Sequence, residues 1–156
     1  MKIKSILSLL LFSLSTISFA QIIIIGHNDI NNYPIYNVRL TVVESNKTEQ
    51  SLNTEKKPGF KLTLNFGKKY KVYVQHPDCP VMFFEVDATN VPTEKQTIKM
   101  VHELDIPFFY KNDEDVDTSV FTKPIQKIYF DGVSKMISDT TYINRFYRNV
   151  IKPQKK

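Results

Sequence analysis

The 156-residue chain holds one cysteine, no tryptophan and only four glycines. A single thiol closes no internal disulfide, so the fold must rest on its core and its sheet ladders. Cys79, between Asp78 and Pro80, reads as a buried or inert thiol, with intermolecular pairing or reactivity as the alternative. Long apolar runs are also scarce. The longest, Ile6 to Phe12, is broken by Ser8 and falls far short of the roughly 20 residues that span a bilayer. Charge of one sign is weak as well. The formal net charge is +5, and it falls to +3 if Lys2 and Lys4 are removed. The remaining basic residues are scattered, with small groups at Lys56-Lys57, Lys68-Lys69 and Lys152 to Lys156, which argues against a phosphate-tracking surface and so against nucleic acid.

What is present begins with an address. Lys2 and Lys4 precede the apolar run, which fades through Ser13, Ser15 and Thr16 into Ser18-Phe19-Ala20 and then Gln21. A basic start, a short apolar middle and a small-residue exit form the layout of a secretory signal peptide, residues 1–20, cut near Ala20-Gln21. Gln21, not a cysteine, stands at the cut, so the product is expected to be periplasmic or secreted rather than a lipoprotein. The remaining 136 residues, 20 fewer than the whole, suffice for one domain with a real core.

From Gln21 the chain reads as strand after strand. Ile22 to Ile25 is a β-branched run ending at Gly26, and Asp29 to Pro34 is rich in turn residues. Val38, Leu40 and Val42 alternate with polar residues, as do Phe60, Leu62 and Leu64, and again Tyr70, Val72 and Val74. Period two places one face of each strand in a core. Ser45 to Lys47 and Lys56 to Gly59 read as breaks, and Asn65-Phe66-Gly67-Lys68 as a tight hairpin connection. Val81 to Val86, Thr97 to Val101, Leu104 to Phe109 and Ile125 to Phe130 supply further strands, with a turn at Asp131-Gly132. The pattern then turns helical. Tyr142, Ile143, Phe146, Tyr147, Val150 and Ile151 share one face at 3.6 residues per turn, with Asp139 placed as the cap and Pro153 past the end.

The residues Gly26, Asp29, Pro34-Ile35, Val38, Leu40, Val42, Thr54, Gly59-Phe60, Leu62, Leu64, Gly67, Tyr70, Val72 and Val74, in this order, resemble the carboxypeptidase-regulatory-like, transthyretin-like domain of exported bacterial proteins. The resemblance covers residues 22–101, and Asp78-Cys79-Pro80 replaces the family's usual Gly-aromatic pair. The tail Pro124-x-x-x-Ile128-x-Phe130-Asp131, with Asp139-x-x-Tyr142, resembles an appendage found beside such domains. The resemblance implies a mainly β protein, an antiparallel sandwich of about seven strands over residues 21–110, and a binding or scaffolding module rather than an enzyme. Residues 111–156 are expected to form an acidic linker, a strand and an amphipathic C-terminal helix packed on the same body.

The chemistry-bearing residues form no motif. Related hydrolases of purine breakdown end in Tyr-Arg-Gly-Ser, whereas this chain has Tyr147-Arg148-Asn149-Val150 in a helical stretch. His27, His76 and His102 lack ligand spacing, although His27 and His102 could meet if their strands pair. No Gly-x-Ser-x-Gly elbow singles out a nucleophile. Asp113 to Asp117 opens like a calcium loop, but Thr118 stands where the sharp-turn glycine belongs and Pro124 where the bidentate glutamate belongs. No catalytic, metal or cofactor residues are therefore assigned. Of eight Tyr and eleven Phe, adjacent pairs such as Phe83-Phe84 and Phe108-Phe109 cannot both enter one core layer. The second ring either packs under the helix or belongs to an exposed patch. Tyr33, Tyr36, Phe83 and Phe108 are the candidate partner-binding residues. The expected function is a non-enzymatic envelope module whose partner is another envelope protein, with a glycan-binding module using exposed aromatics as the alternative and a hydrolase third.

Overall fold

A computed structural model describes residues 21–30, 33–55 and 57–151, so the leader and the Lys152 to Lys156 tail lie outside the described residues. Two sheets face each other. The first is built on β1 (Gln21–Ile30), flanked by β5 (Gly59–Asn65) and β8 (Met100–Pro107), with β2 (Tyr33–Pro34) paired to its last residues. The second runs β10 (Met136–Ser138), β9 (Lys127–Phe130), β7 (Met82–Asp87), β6 (Lys69–Gln75), β3 (Arg39–Glu44) and β4 (Lys47–Asn53). Period two does what it promised. Ile22 and Ile24, Leu62 and Leu64, Leu40 and Val42, and Val72 and Val74 all point between the sheets and are buried. The Phe60 and Phe84 rings stack across the gap at 6.4 Å.

The architecture corrects the expected antiparallel sandwich of about seven strands. Both sheets are mixed, because β8 runs parallel to β1 and β9 runs parallel to β7. Parallel neighbours need a long connection between them, and here each connection passes through the opposite sheet. The hairpin expected at Asn65 to Lys68 is also absent. That segment carries the chain from β5 in one sheet to β6 in the other, and Gly67 takes φ 77° in doing so. The Tyr70 hydroxyl pins this corner, donating to the Asn65 carbonyl and accepting from its N–H at 3.3 and 3.1 Å. β1 does not stop at Gly26 but runs on to Ile30, and Thr97 to Phe109 yields one strand instead of two. Gly59 lies within β5 without a positive φ; a Cβ there would come 2.9 Å from the Gly26 carbonyl oxygen. The polar β4 and the short β10 carried too little apolar alternation to be read.

The helix forms where its cap and stripe placed it. α1 (Thr140–Val150) starts at Asp139, whose carboxylate accepts the Tyr142 N–H at 2.8 Å. An eleven-residue helix is marginal in water, so its place depends on packing. Phe146 and Val150 supply that packing by joining the same core cluster as β1 to β9. Phe146 meets Phe121, in a 3-10 turn (Thr118–Thr122), at 5.9 Å. Phe109 packs here too, against Phe121 and Tyr147, which is the burial expected of the second ring in its pair.

Candidate functional site

An open groove of about 970 Å³ lies on the outer face of the six-stranded sheet, at the end where β3 finishes and β6 begins. Alternation that sends Val72 and Val86 inward sends Lys71 and Glu85 outward, and strand pairing then lines the outward residues up in rows. One row reads Val43, Lys71, Glu85, Lys127; the next reads Lys69, Asp87, Tyr129. Tyr73 and Phe83 face each other in the row beyond, ring centroids 5.6 Å apart. Ser45, Asn46, Thr89 and Asn90 close the end.

The charges in the groove are unevenly matched. Lys68 meets Glu44 at 2.6 Å and Lys69 meets Asp87 at 2.7 Å. Each of these hydrogen bonds holds the ammonium above its ordinary range. The two lysines beside Glu85 behave differently. Lys71 lies over the Phe83 ring at 5.4 Å and Lys127 over the Tyr142 ring at 4.8 Å. Their positive ends are drawn to ring faces. The Glu85 carboxylate is left without an ion pair to any described residue.

A smaller recess of about 530 Å³ lies between β8 and the helix and is lined by His27, Asp105, Gln126, Ser138 and Tyr147. At its back, His102 Nδ1 lies 3.1 Å from the Met136 carbonyl and Nε2 lies 2.9 Å from Ser138 Oγ. A carbonyl can only accept, so Nδ1 carries the proton and Nε2 accepts from the serine hydroxyl. Gln126 donates to the Asp105 carbonyl at 3.1 Å. A serine hydrogen-bonded to a histidine has the outline of a nucleophile and its base. Here, however, the second ring nitrogen faces a backbone carbonyl instead of a carboxylate. What the arrangement does is tie β8 of one sheet to β10 of the other.

Burial holds the His102 pKa below its ordinary 6.5, opposed by the Met136 hydrogen bond. The sign follows. The folded state resists a proton that the unfolded chain accepts, so this contribution is fully present above pH 6.5 and is lost as pH falls through the lowered folded value. Urea denaturation at pH 7.5 and pH 5 should show a drop in stability that is smaller in His102→Gln. An equal drop in both proteins would rule the clasp out as its source.

The four expected partner-binding residues are not brought together. Tyr33 and Tyr36 are exposed, at 73% and 45%, but they precede β3 and lie at the end away from the groove. Phe83 is half-buried on the outer face, beside the groove. Phe108 is a correction. It is 2% exposed, its ring against His76, because even positions of β8 and its continuation point inward. No protein-family model matches the chain, and no curated protein matches it. The described residues thus establish a mainly β domain of two mixed sheets with a C-terminal helix, and chemistry has to be read from the side chains themselves.

The other sequence candidates resolve individually. β1 and β8 do pair, yet His27 points outward to Asp105 at 3.5 Å while His102 points to β10, so the two rings do not meet. Among the described residues, no three of His, Cys, Asp and Glu converge as a metal site would require. The Asp113 and Asp117 carboxylates accept backbone N–H groups of Asp115 and Ser119, each at 3.0 Å. Cys79 is buried, and burial lifts its thiol to about 11, which keeps it protonated. Tyr147 is held on the helix, its hydroxyl pushed up by burial and by nearby Asp29. The groove was not read from the sequence, because Lys127 and Tyr129 reach Glu85 and Asp87 only through the parallel β7–β9 pairing. The one signal for it was the alternation Lys127-x-Tyr129 beside Lys69-x-Lys71-x-Tyr73.

Proposed function

We propose that the chain is an exported, non-enzymatic binding module of the cell envelope, built on a transthyretin-like scaffold, whose partner seats in the groove of the six-stranded sheet. The observation that carries this reading is Glu85, a carboxylate in the floor of the groove whose two lysine neighbours have turned to aromatic rings. Ligand sites are concave, with a few polar groups converging on them, and this groove combines both features. Export is supported by the leader pattern of residues 1–20, a basic start, a short apolar middle and a small-residue exit before Gln21. No helix among the described residues is long and apolar enough to cross a membrane.

Two measurements test the reading. The chain expressed with its own leader should be recovered outside the cytoplasm with Gln21 as its first residue by intact mass; retention of Met1 in the cytoplasm would remove the export claim. A photo-crosslinking residue at Tyr129 should give a discrete adduct in the native cell, whereas the same residue at Lys61, on the opposite sheet, should not. Identical patterns from both positions would remove the groove as the binding face.

A further inference from the structure

Building on that reading, we infer that the ligand of the groove is a neutral oligosaccharide, held by its hydroxyls on Glu85 and Lys127 and by ring contact with Tyr129. Three observations lead there. The first is the composition of the walls. Lys68, Lys69, Lys71 and Lys127 stand among Glu44, Glu85 and Asp87. Lys, Glu and Asp are the residues that protein–protein interfaces lack at their cores, because a docked protein strips them of water. Apolar side chains such as Val43 and Phe130 also line the groove, but seven charged residues are set among them, and a docked protein would have to strip all seven of water.

The second observation is the local charge balance. Two of the four lysines are already bound to Glu44 and Asp87, and Glu85 remains as an uncompensated acceptor. With Glu44 and Asp87 neutralised by Lys68 and Lys69, an anionic chain would still meet the Glu85 carboxylate between Lys71 and Lys127. A cationic chain would meet the four ammonium groups. Sugar hydroxyls both donate and accept, so a neutral saccharide can use Glu85 as acceptor and the adjacent Lys127 as donor in one bidentate contact.

The third is shape. Tyr129 is 41% exposed on the groove wall, two residues beyond Lys127 on the same face of β9. An amphipathic ring offers apolar area to a pyranose face at low conformational cost. Asn46, Thr89 and Asn90 continue the polar wall past Tyr129. About 970 Å³ lies at the upper end of ligand-site volumes, around 1,000 Å³, which fits a short chain of sugar rings better than one.

The test is a titration of the ¹⁵N-labelled mature chain with four neutral tetrasaccharides: β-1,4-glucose, β-1,3-glucose, β-1,4-N-acetylglucosamine and α-1,6-mannose. At least one should bind at millimolar concentration and shift the amides of Glu85, Lys127 and Tyr129. Tyr129→Ala should weaken it about tenfold, the loss of one aromatic contact, and Glu85→Gln severalfold, while Tyr33→Ala should leave it unchanged. The melting temperature of each variant separates lost binding from lost fold, and Tyr129→Phe should restore most of the affinity. No shift with any tetrasaccharide, or equal binding by Tyr129→Ala and Tyr33→Ala, overturns the inference. If saccharides fail while crosslinking at Tyr129 captures a protein, the saccharide is wrong and the groove as a binding face stands. If both fail, the groove falls with it.

Discussion

Gly26→Ala is expected to destabilise the fold by about 2–4 kcal/mol, a large share of the roughly 5–15 kcal/mol that holds a domain together. Gly26 pairs with Phe60 across β1 and β5. The Phe60 ring covers the glycine. A Cβ on residue 26 would fall inside that ring, with Cε2 at 2.8 Å and Cζ and Cε1 closer still. An alanine methyl can be placed only if Phe60 leaves its site. Phe60 is 6% exposed and stacked on Phe84, so its departure opens the centre of the sandwich and exposes a phenyl group worth about 1.5–3 kcal/mol of burial. Gly132→Ala is the control. Gly132 has φ 82°, and nothing lies within 4 Å of the point an alanine methyl would occupy, so only backbone strain of about 1 kcal/mol follows. Urea denaturation of the two variants measures the contrast. Equal losses would show that the Phe60 ring can move aside freely.

Phe146→Ala is expected to cost about 3–5 kcal/mol and to release the helix from the sandwich. The Phe146 ring is 5% exposed and meets Phe121, Tyr142 and Tyr147 within 6.3 Å. Truncation leaves a cavity walled by rigid rings, which cannot close on it. Its effect should also reach beyond α1, since the helix end holds the Asp117 N–H through the Val150 carbonyl at 2.7 Å. Hydrogen exchange should therefore accelerate in both α1 and the Thr118–Thr122 turn, while β1 and β5 stay protected. For comparison, Asp139→Ala removes one cap bond and should cost about 1 kcal/mol. A Phe146→Ala loss no larger than that would mean the helix is not anchored through this ring.

The parts of the fold legible in the sequence are those set by neighbours within a few residues. Asp139, the stripe from Tyr142 to Val150, and the alternations in β3, β5 and β6 could be read because capping, helical period and strand pleat all act locally. Phe109 under the helix is one of the two outcomes that the same pleat left open. Phe108 failed as a surface residue because that pleat fixes only that the two rings diverge, and the neighbouring sheet decides which one is covered. The hairpin at Asn65 to Lys68 failed for a related reason. A Gly-containing turn between two alternating runs is the same string of residues whether the second run pairs with the first or crosses to the facing sheet.

The candidate site was less legible still. Its rows assemble Lys71 from β6, Glu85 from β7 and Lys127 from β9, and the last pair lies 42 residues apart in the chain. By itself, the sequence determined which residues point together along each strand, where the helix begins, and a leader pattern ending at Ala20. Only the tertiary structure decided that β9 lies parallel beside β7, that β8 closes on β1, and so which outward side chains share a groove. The physical reason is one of range. Pleat and helix period are properties of adjacent residues, whereas the choice of sheet neighbour belongs to the packed core, where the burial of Ile22, Phe60 and Phe84 together selects one arrangement of strands.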